Sequence, residues 1–210
     1  MSTTDDAPAA VAPAAPVSLI ADPAPLGLAA FALTTFLLSA FNAGWMKNAT
    51  GAAFLGFAFA YGGAGQFAAG MWEFKNKNVF GSTAFSTYGG FWIGIGLWFL
   101  LVAPKATGLE GARDLGWILL AFAIFNTYML IISTQVNAAV FLVFLTLEVT
   151  EILLFIGNLT TKTGSGGLIQ VGGYIGVVTA IVAWYTSAAG VMNGHKGRVV
   201  LPVGSALFKL

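Results

Sequence analysis

Cysteine is absent from this chain, and histidine occurs once, as His195. Disulfides and thiol chemistry are therefore excluded, and a single chain has no histidine cluster with which to hold a metal. Charge is almost as scarce: 8% of the residues are Asp, Glu, Lys or Arg, where an ordinary soluble domain has roughly 25%. A formal net charge of +1 offers no basic field, so no nucleic-acid partner is expected.

What is present is apolar: 58% of the residues are hydrophobic, and they fall in long runs. Five stretches carry no Asp, Glu, Lys or Arg, Pro23 to Met46, Asn48 to Trp72, Val79 to Ala103, Leu115 to Leu147 and Thr163 to His195. Each reaches the ~20 residues that a helix needs to cross hydrocarbon. The fourth is too long for one crossing and carries a polar turn at Ser133-Thr134-Gln135-Val136-Asn137. Six spans are expected, over 26–46, 50–72, 82–103, 114–133, 137–157 and 167–192. The fold class is thus an all-α integral membrane protein, a six-transmembrane-helix bundle in the cell membrane. The alternating segments of a membrane barrel are missing.

An even number of crossings puts both termini on one side. That side holds Lys75, Lys77, Lys196, Arg198 and Lys209, against Lys47, Lys105, Arg113 and Lys162 on the other, a small bias toward cytoplasmic termini. Residues 1–21 are an Ala/Pro-rich leader without the basic start of a secretory signal, read as disordered. Residues 22–204 form the membrane domain and 205–210 a short tail. Trp45, Trp72, Trp92 and Trp117 lie near span ends, where tryptophan anchors helices at the headgroup level, although Trp92 also suits a buried position.

Inside the spans the polar groups are neutral donors: Thr34, Thr35 and Asn42 in the first, Tyr61 and Gln66 in the second, Thr83, Thr87 and Tyr88 in the third, Asn126, Thr127 and Tyr128 in the fourth, Asn158 at the end of the fifth. No Lys lies mid-span for a retinal Schiff base, and Cys and His ligands for redox chemistry are lacking, so neither an enzyme nor a cofactor is expected. A pathway of neutral donors holds an anion weakly, which suits passage. Glycines recur within the helices, and the pairs Gly90/Gly94 and Gly172/Gly176 have the spacing that opens a groove on one face for close helix approach. Glu148 and Glu151 stand three residues apart on one face of the fifth span. Ionisable groups at such depth are expensive and usually functional, so the pair is a candidate proton relay; the alternative is a packing role through bonds to a neighbouring helix.

Several motifs resemble one family. Asp22-Pro23-Ala24-Pro25-Leu26-Gly27-Leu28 is similar to the Asn-Pro-Ala-Pro-Leu-Gly-Leu signature of acetate uptake transporters, also called succinate–acetate permeases, with Asp in place of Asn. The likeness continues through Tyr61-Gly62-Gly63 with Gln66, Phe80-Gly81-Ser82-Thr83-Ala84-Phe85, Tyr88-Gly89-Gly90-Phe91-Trp92, Gly157-Asn158 and Gly197-Arg198-Val199-Val200-Leu201-Pro202. Asp22 also reads as a helix cap with Pro23 at the first helical position, and its charge opposes an anion at that helix end. The resemblance implies a permease for acetate, with succinate or other small carboxylates in range, moving the acid with a proton or as a free anion. It implies a hydrophobic constriction at Phe31, Tyr88 and Leu147, and a ring-shaped homo-oligomer of six subunits. The donors Thr34, Asn42, Tyr61, Gln66, Thr87, Asn126 and Asn158 are the expected substrate pathway. A channel for a small neutral solute such as urea is the competing reading.

Overall fold

The computed structural model describes residues 20–47, 49 and 52–208, so most of the expected leader and the last two residues of the tail lie outside it. Every regular element among the described residues is helical: α1 (Ala24–Asn42), α2 (Phe54–Phe59), a π-helical turn (Ala60–Gly65), α3 (Gln66–Lys75), α4 (Val79–Leu97), a second π turn (Trp98–Val102) with a 3-10 turn (Ala103–Lys105), α5 (Glu110–Ser133), α6 (Ala138–Thr160) and α7 (Gly167–Lys196).

The helix ends follow local chemistry. The Asp22 carboxylate accepts the Ala24 N–H at 2.9 Å, so the helix begins at Ala24, with Pro23 rather than Asp22 at its N-cap. Asn78 and Asn137 cap α4 and α6 by accepting the Gly81 and Val140 N–H groups. The polar turn expected at 133–137 separates α5 from α6 as read. Gly197, at a left-handed φ of 61°, closes α7 where a side chain would be strained. Arg113 on α5 donates to the Asn158 and Thr161 carbonyls, placing a cation on the last turn of α6.

Five helical stretches are long and apolar enough to cross a membrane: Ala24–Asn42, Val79–Lys105, Glu110–Ser133, Ala138–Thr160 and Gly167–Lys196. The expected second span differs. It is helical throughout, from Phe54 to Lys75 with a π turn joining α2 to α3, but its glycines together with Tyr61, Gln66 and Glu73 make it less apolar than the other five. Gly62 and Gly63 lie in that turn, where Thr34 of α1 and the Ala58 carbonyl press against their Cα hydrogens.

The helices pack as two blocks. α1, α7, α6 and α5 form one closely packed series, and α3 lies against α4 in the other; α4 meets α5 only sparsely. Apolar side chains such as Trp117, Ile124 and Ile131 point outward along α5, as lipid or another subunit demands. Trp45, Trp72 and Trp117 are exposed, whereas Trp92 is buried at 3% exposure and is no headgroup anchor. The C-terminal residues do not hang free: Leu207 N–H donates to the Thr134 carbonyl at 2.7 Å, and Ala139 N–H to the Val203 carbonyl at 2.9 Å.

The two glycine pairs behave differently. A Cβ on Gly172 would lie 2.8 Å from Leu154 and one on Gly176 would strike Ser39, so that face is tightly filled. Gly90 and Gly94 face open space within the chain, so the groove expected there receives no helix of the same subunit. Gly173 meets backbone rather than side chain, since a Cβ would lie 2.7 Å from the Asn42 backbone and 2.8 Å from the Ser39 carbonyl. Gly173→Ala should therefore push α7 off α1 and cost about 1–3 kcal/mol, while Gly94→Ala, with open space around it, should not lower the thermal midpoint of the detergent-solubilised chain. Equal midpoints for the two variants would show that this contact does not set the α1–α7 spacing.

Candidate functional site: a layered pathway and its polar network

Three cavities follow one another along α1, α4 and α6. The first, of about 220 Å³, is lined among others by Asn42, Phe99, Asn158 and Ile169. The second, about 50 Å³, shares Leu38, Asn42, Phe91, Leu119 and Leu154 with it. The third, about 30 Å³, is bounded by Leu28, Gln66, Phe85 and Phe144. The second and third cavities have three lining residues in common: Phe31, Tyr88 and Leu147. All three are buried, and the Phe31 and Tyr88 rings meet edge to face with centroids 5.7 Å apart. Phe91, Phe122 and Phe125 pack around Tyr88, fixing the ring from the α4 and α5 sides.

This arrangement follows from helical periodicity. α1, α4 and α6 run in the same sense, so equal steps from Phe31, Tyr88 and Leu147 generate layers. Three residues back lie Leu28, Phe85 and Phe144, all lining the third cavity. Four residues on lie Thr35, Trp92 and Glu151, all lining the second. Eleven on lie Asn42, Phe99 and Asn158, all lining the first. Three helices thus expose one face each to a common line, apolar at the ring and polar a turn beyond it.

A buried polar network abuts the ring. The Tyr88 hydroxyl donates to Asn126 Oδ1 at 3.0 Å and lies 3.3 Å from Glu151 Oε1. Asn126, fully buried, donates through Nδ2 to Glu148 Oε2 at 2.7 Å and to the Phe144 carbonyl at 3.0 Å. Thr127 donates to Glu148 Oε1 at 2.8 Å. The network joins α4, α5 and α6 where the α4 and α5 backbones stand apart and meet through aromatic side chains. Glu148 and Glu151 therefore differ: Glu148 accepts from two donors on α5, whereas Glu151 Oε2 has no hydrogen-bond partner in the protein.

The other expected pathway residues divide. Asn42, Gln66 and Asn158 line cavities, and the Gln66 Oε1 is buried without a partner. Asn158 gives its Nδ2 to the Leu154 carbonyl. Thr34 turns its hydroxyl back to the Ala30 carbonyl at 2.8 Å and packs against Gly62, away from all three cavities. Thr87, half-buried, lines none of them. Tyr61 instead faces a separate outer groove of about 490 Å³ with Asp22, Pro25, Leu26 and His195, the place where the first motif lies. Three buried, unpartnered polar groups were outside the expected site and donor residues: Trp92 with its indole N–H, Ser86 with its hydroxyl, and Glu73, whose Oε1 packs against Gly81. The helical register of Trp92 relative to Tyr88 was a usable signal; for Glu73, flanked by Lys75 and Lys77, none existed. Among the described residues no group of His, Cys, Asp and Glu is arranged to hold a metal ion.

Residues 6–206 match the GPR1/FUN34/yaaH family. The chain belongs to that family. It is 41% identical over 192 residues to Ammonia transport outward protein 2 of Saccharomyces cerevisiae, covering 89% of this chain and 67% of that protein. It is 35% identical over 187 residues to the Succinate-acetate/proton symporter SatP of Escherichia coli K12, covering 89% of this chain and 97% of the symporter. A solved structure of the bacterial acetate channel SatP superposes with a TM-score of 0.80 at 35% identity, covering 88% of this chain and 99% of that one. The chain spans about two thirds of the length of its fungal relatives. It is a multi-pass membrane protein of a transporter family rather than an enzyme.

Asn126 is the hub of the polar network, so Asn126→Leu should cost about 3 kcal/mol by removing the donor to Glu148 Oε2 and the nearer acceptor of the Tyr88 hydroxyl at once, whereas Tyr88→Phe should cost about 1 kcal/mol. Thermal unfolding of both variants in the same detergent checks the order. A smaller loss for the Asn126 variant than for the Tyr88 variant would refute the hub.

Proposed function

We propose that this chain is a permease for small monocarboxylates, acetate foremost, with succinate or similar acids as further cargo. The observation that carries this reading is the ring: in a chain related to carboxylate transporters, Phe31, Tyr88 and Leu147 alone bound both of two successive cavities. An apolar ring of this kind admits a small solute and rejects a large one by size. No Lys or Arg lines the three cavities, so the acid is held by neutral donors and released readily.

The proposal includes Phe54–Lys75 as a sixth crossing, which returns both termini to one face, taken as cytoplasmic. It includes a ring of six copies, each with its own pathway, for which the apolar exterior leaves the surface. Proton coupling falls to the Glu148 and Glu151 pair beside the ring. The competing reading, a pore for urea or another small neutral solute, has in its favour the largely carbon lining of the second cavity.

Purified protein in liposomes, offered labelled acetate or labelled urea with and without an imposed pH gradient, separates the two. Acetate uptake above urea uptake is expected; the reverse would end the carboxylate reading. Leu147→Ala should widen the ring and raise lactate or succinate uptake relative to acetate severalfold. An unchanged ratio would remove Leu147 from the size filter. Replacing both acids, Glu148→Gln with Glu151→Gln, should flatten the dependence of acetate uptake on pH; a preserved pH profile with normal transport argues for a packing role instead.

A further inference from the structure

The outer groove of about 490 Å³ shares no lining residue with the three cavities of the pathway. It lies along the seam where the start of α1 meets the end of α7. The two helices touch there through the Ser187 hydroxyl, which donates to the Pro25 carbonyl at 2.6 Å, and through Gly190, which packs on the Pro25 ring. Beside that contact, Leu26 and Ala29 on α1 and Val191 and Gly194 on α7 recur at helical steps and form one trough. From Ser187 to His195 it runs eight residues, about 12 Å along the helix axis.

Its polarity is graded. Asp22 and His195 stand at the outer end, where both helices reach the edge of the apolar bundle. Asp22 gives one carboxylate oxygen to the Ala24 N–H, and its second oxygen, like the His195 ring, has no hydrogen-bond partner among the described residues. Farther in the walls are apolar, with Leu26 and Val191 about half exposed on the rims. Deeper still is Tyr61, whose neighbour Gly62 packs on Thr34, ten residues or about 15 Å into α1. The Tyr61 ring lies back over Gly65, on the side of the groove, and its hydroxyl has no partner among the described residues either. A phenol hydroxyl facing lipid without an acceptor is costly, so a ligand that supplies one gains by it.

We propose that this groove seats one phospholipid with a primary ammonium headgroup, of the phosphatidylethanolamine type. A carboxylate at the water boundary, donors beside it, a hydroxyl below and carbon walls between them match that molecule from head to chain. The ammonium pairs with the second Asp22 oxygen in a charge-assisted bond. The His195 ring N–H serves the phosphate, the Tyr61 hydroxyl serves an ester carbonyl, and the acyl chain lies on Leu26, Ala29 and Val191. Charge selects the headgroup: phosphatidylglycerol would set its anion against Asp22 with no cation of its own, and the quaternary ammonium of phosphatidylcholine has no N–H to give. The inference goes beyond the cargo reading and stands whichever solute the pathway carries.

The test uses the purified full chain, stripped of lipid in detergent and offered equal amounts of phosphatidylethanolamine, phosphatidylcholine and phosphatidylglycerol with identical acyl chains. Native mass spectrometry reads the retained lipid and the mass of the assembly together. The ethanolamine lipid should be retained roughly fivefold over either of the others, the worth of one charge-assisted hydrogen bond at the water boundary. Asp22→Asn keeps the oxygen that caps Ala24 and removes the charge, so the preference should vanish while the fold stays. Gly194→Phe fills the trough from a position where a Cβ meets nothing, and it should abolish the bound lipid without changing the mass of the assembly. Equal retention of the three lipids by the wild type, or a preference that survives in Asp22→Asn, would overturn the proposal. An assembly that falls apart in Gly194→Phe while ethanolamine lipid is still retained would show a second copy of the chain in the groove, and overturns it as well.

Discussion

Hydrocarbon offers no hydrogen-bond partner, so every polar group carried into the bundle must be answered by another protein group or by whatever passes through. Much of the polar inventory is answered locally. The hydroxyls of Thr34, Thr146, Thr160, Thr179 and Thr186 each donate to the carbonyl four residues earlier, which removes them from chemistry at small cost. Asn126 answers several more at once. Of the atoms left over, four belong to residues along the cavity line, Gln66 on one side of the ring and Thr35, Trp92 and Glu151 on the other.

The same constraint explains where the cavities lie. α1, α5, α6 and α7 are drawn together by glycine-mediated contacts, Gly173 on α1 and Gly172 against Leu154 among them, and leave no room between their backbones. α4 stands farther from α5, and the intervening space is bridged by Tyr88, its aromatic neighbours and its bond to Asn126. The cavities lie beside that bridge, against Tyr88 and Phe91. The tyrosine thus serves twice, as an apolar wall toward the cavities and as a polar tie toward α5 and α6.

Much of this was legible in the residues. Charge-free runs located the helices to within a few residues, and the motif likeness singled out Phe31, Tyr88 and Leu147, which meet as neighbours although they come from distant parts of the chain. Side-chain direction was not legible. Thr34 and Thr35 are adjacent and chemically identical, yet the first bonds its own helix and the second faces a cavity, a 100° rotation that depends on how α1 sits against its neighbours. Trp92 suits both the headgroup region and the interior by composition, and it is buried because α4 turns that face, with Ile95, toward Phe54 and Ala58 of α2. Tyr61 faces an outer groove because the π turn shifts the register of the segment that carries it.

Solvent, secondary structure and the approximate limits of each helix were decided by the order of apolar and polar residues, since those depend on interactions within a turn or with lipid and need no partner from afar. Which faces meet was decided only by packing. The layers around Phe31, Tyr88 and Leu147 exist because α1, α4 and α6 run the same way at matched height, and that height is set by contacts such as Gly173 on the α1 backbone and Asn126 on Glu148. A one-residue turn of any of the three helices would keep its composition and its span, and would carry its side chain out of the ring.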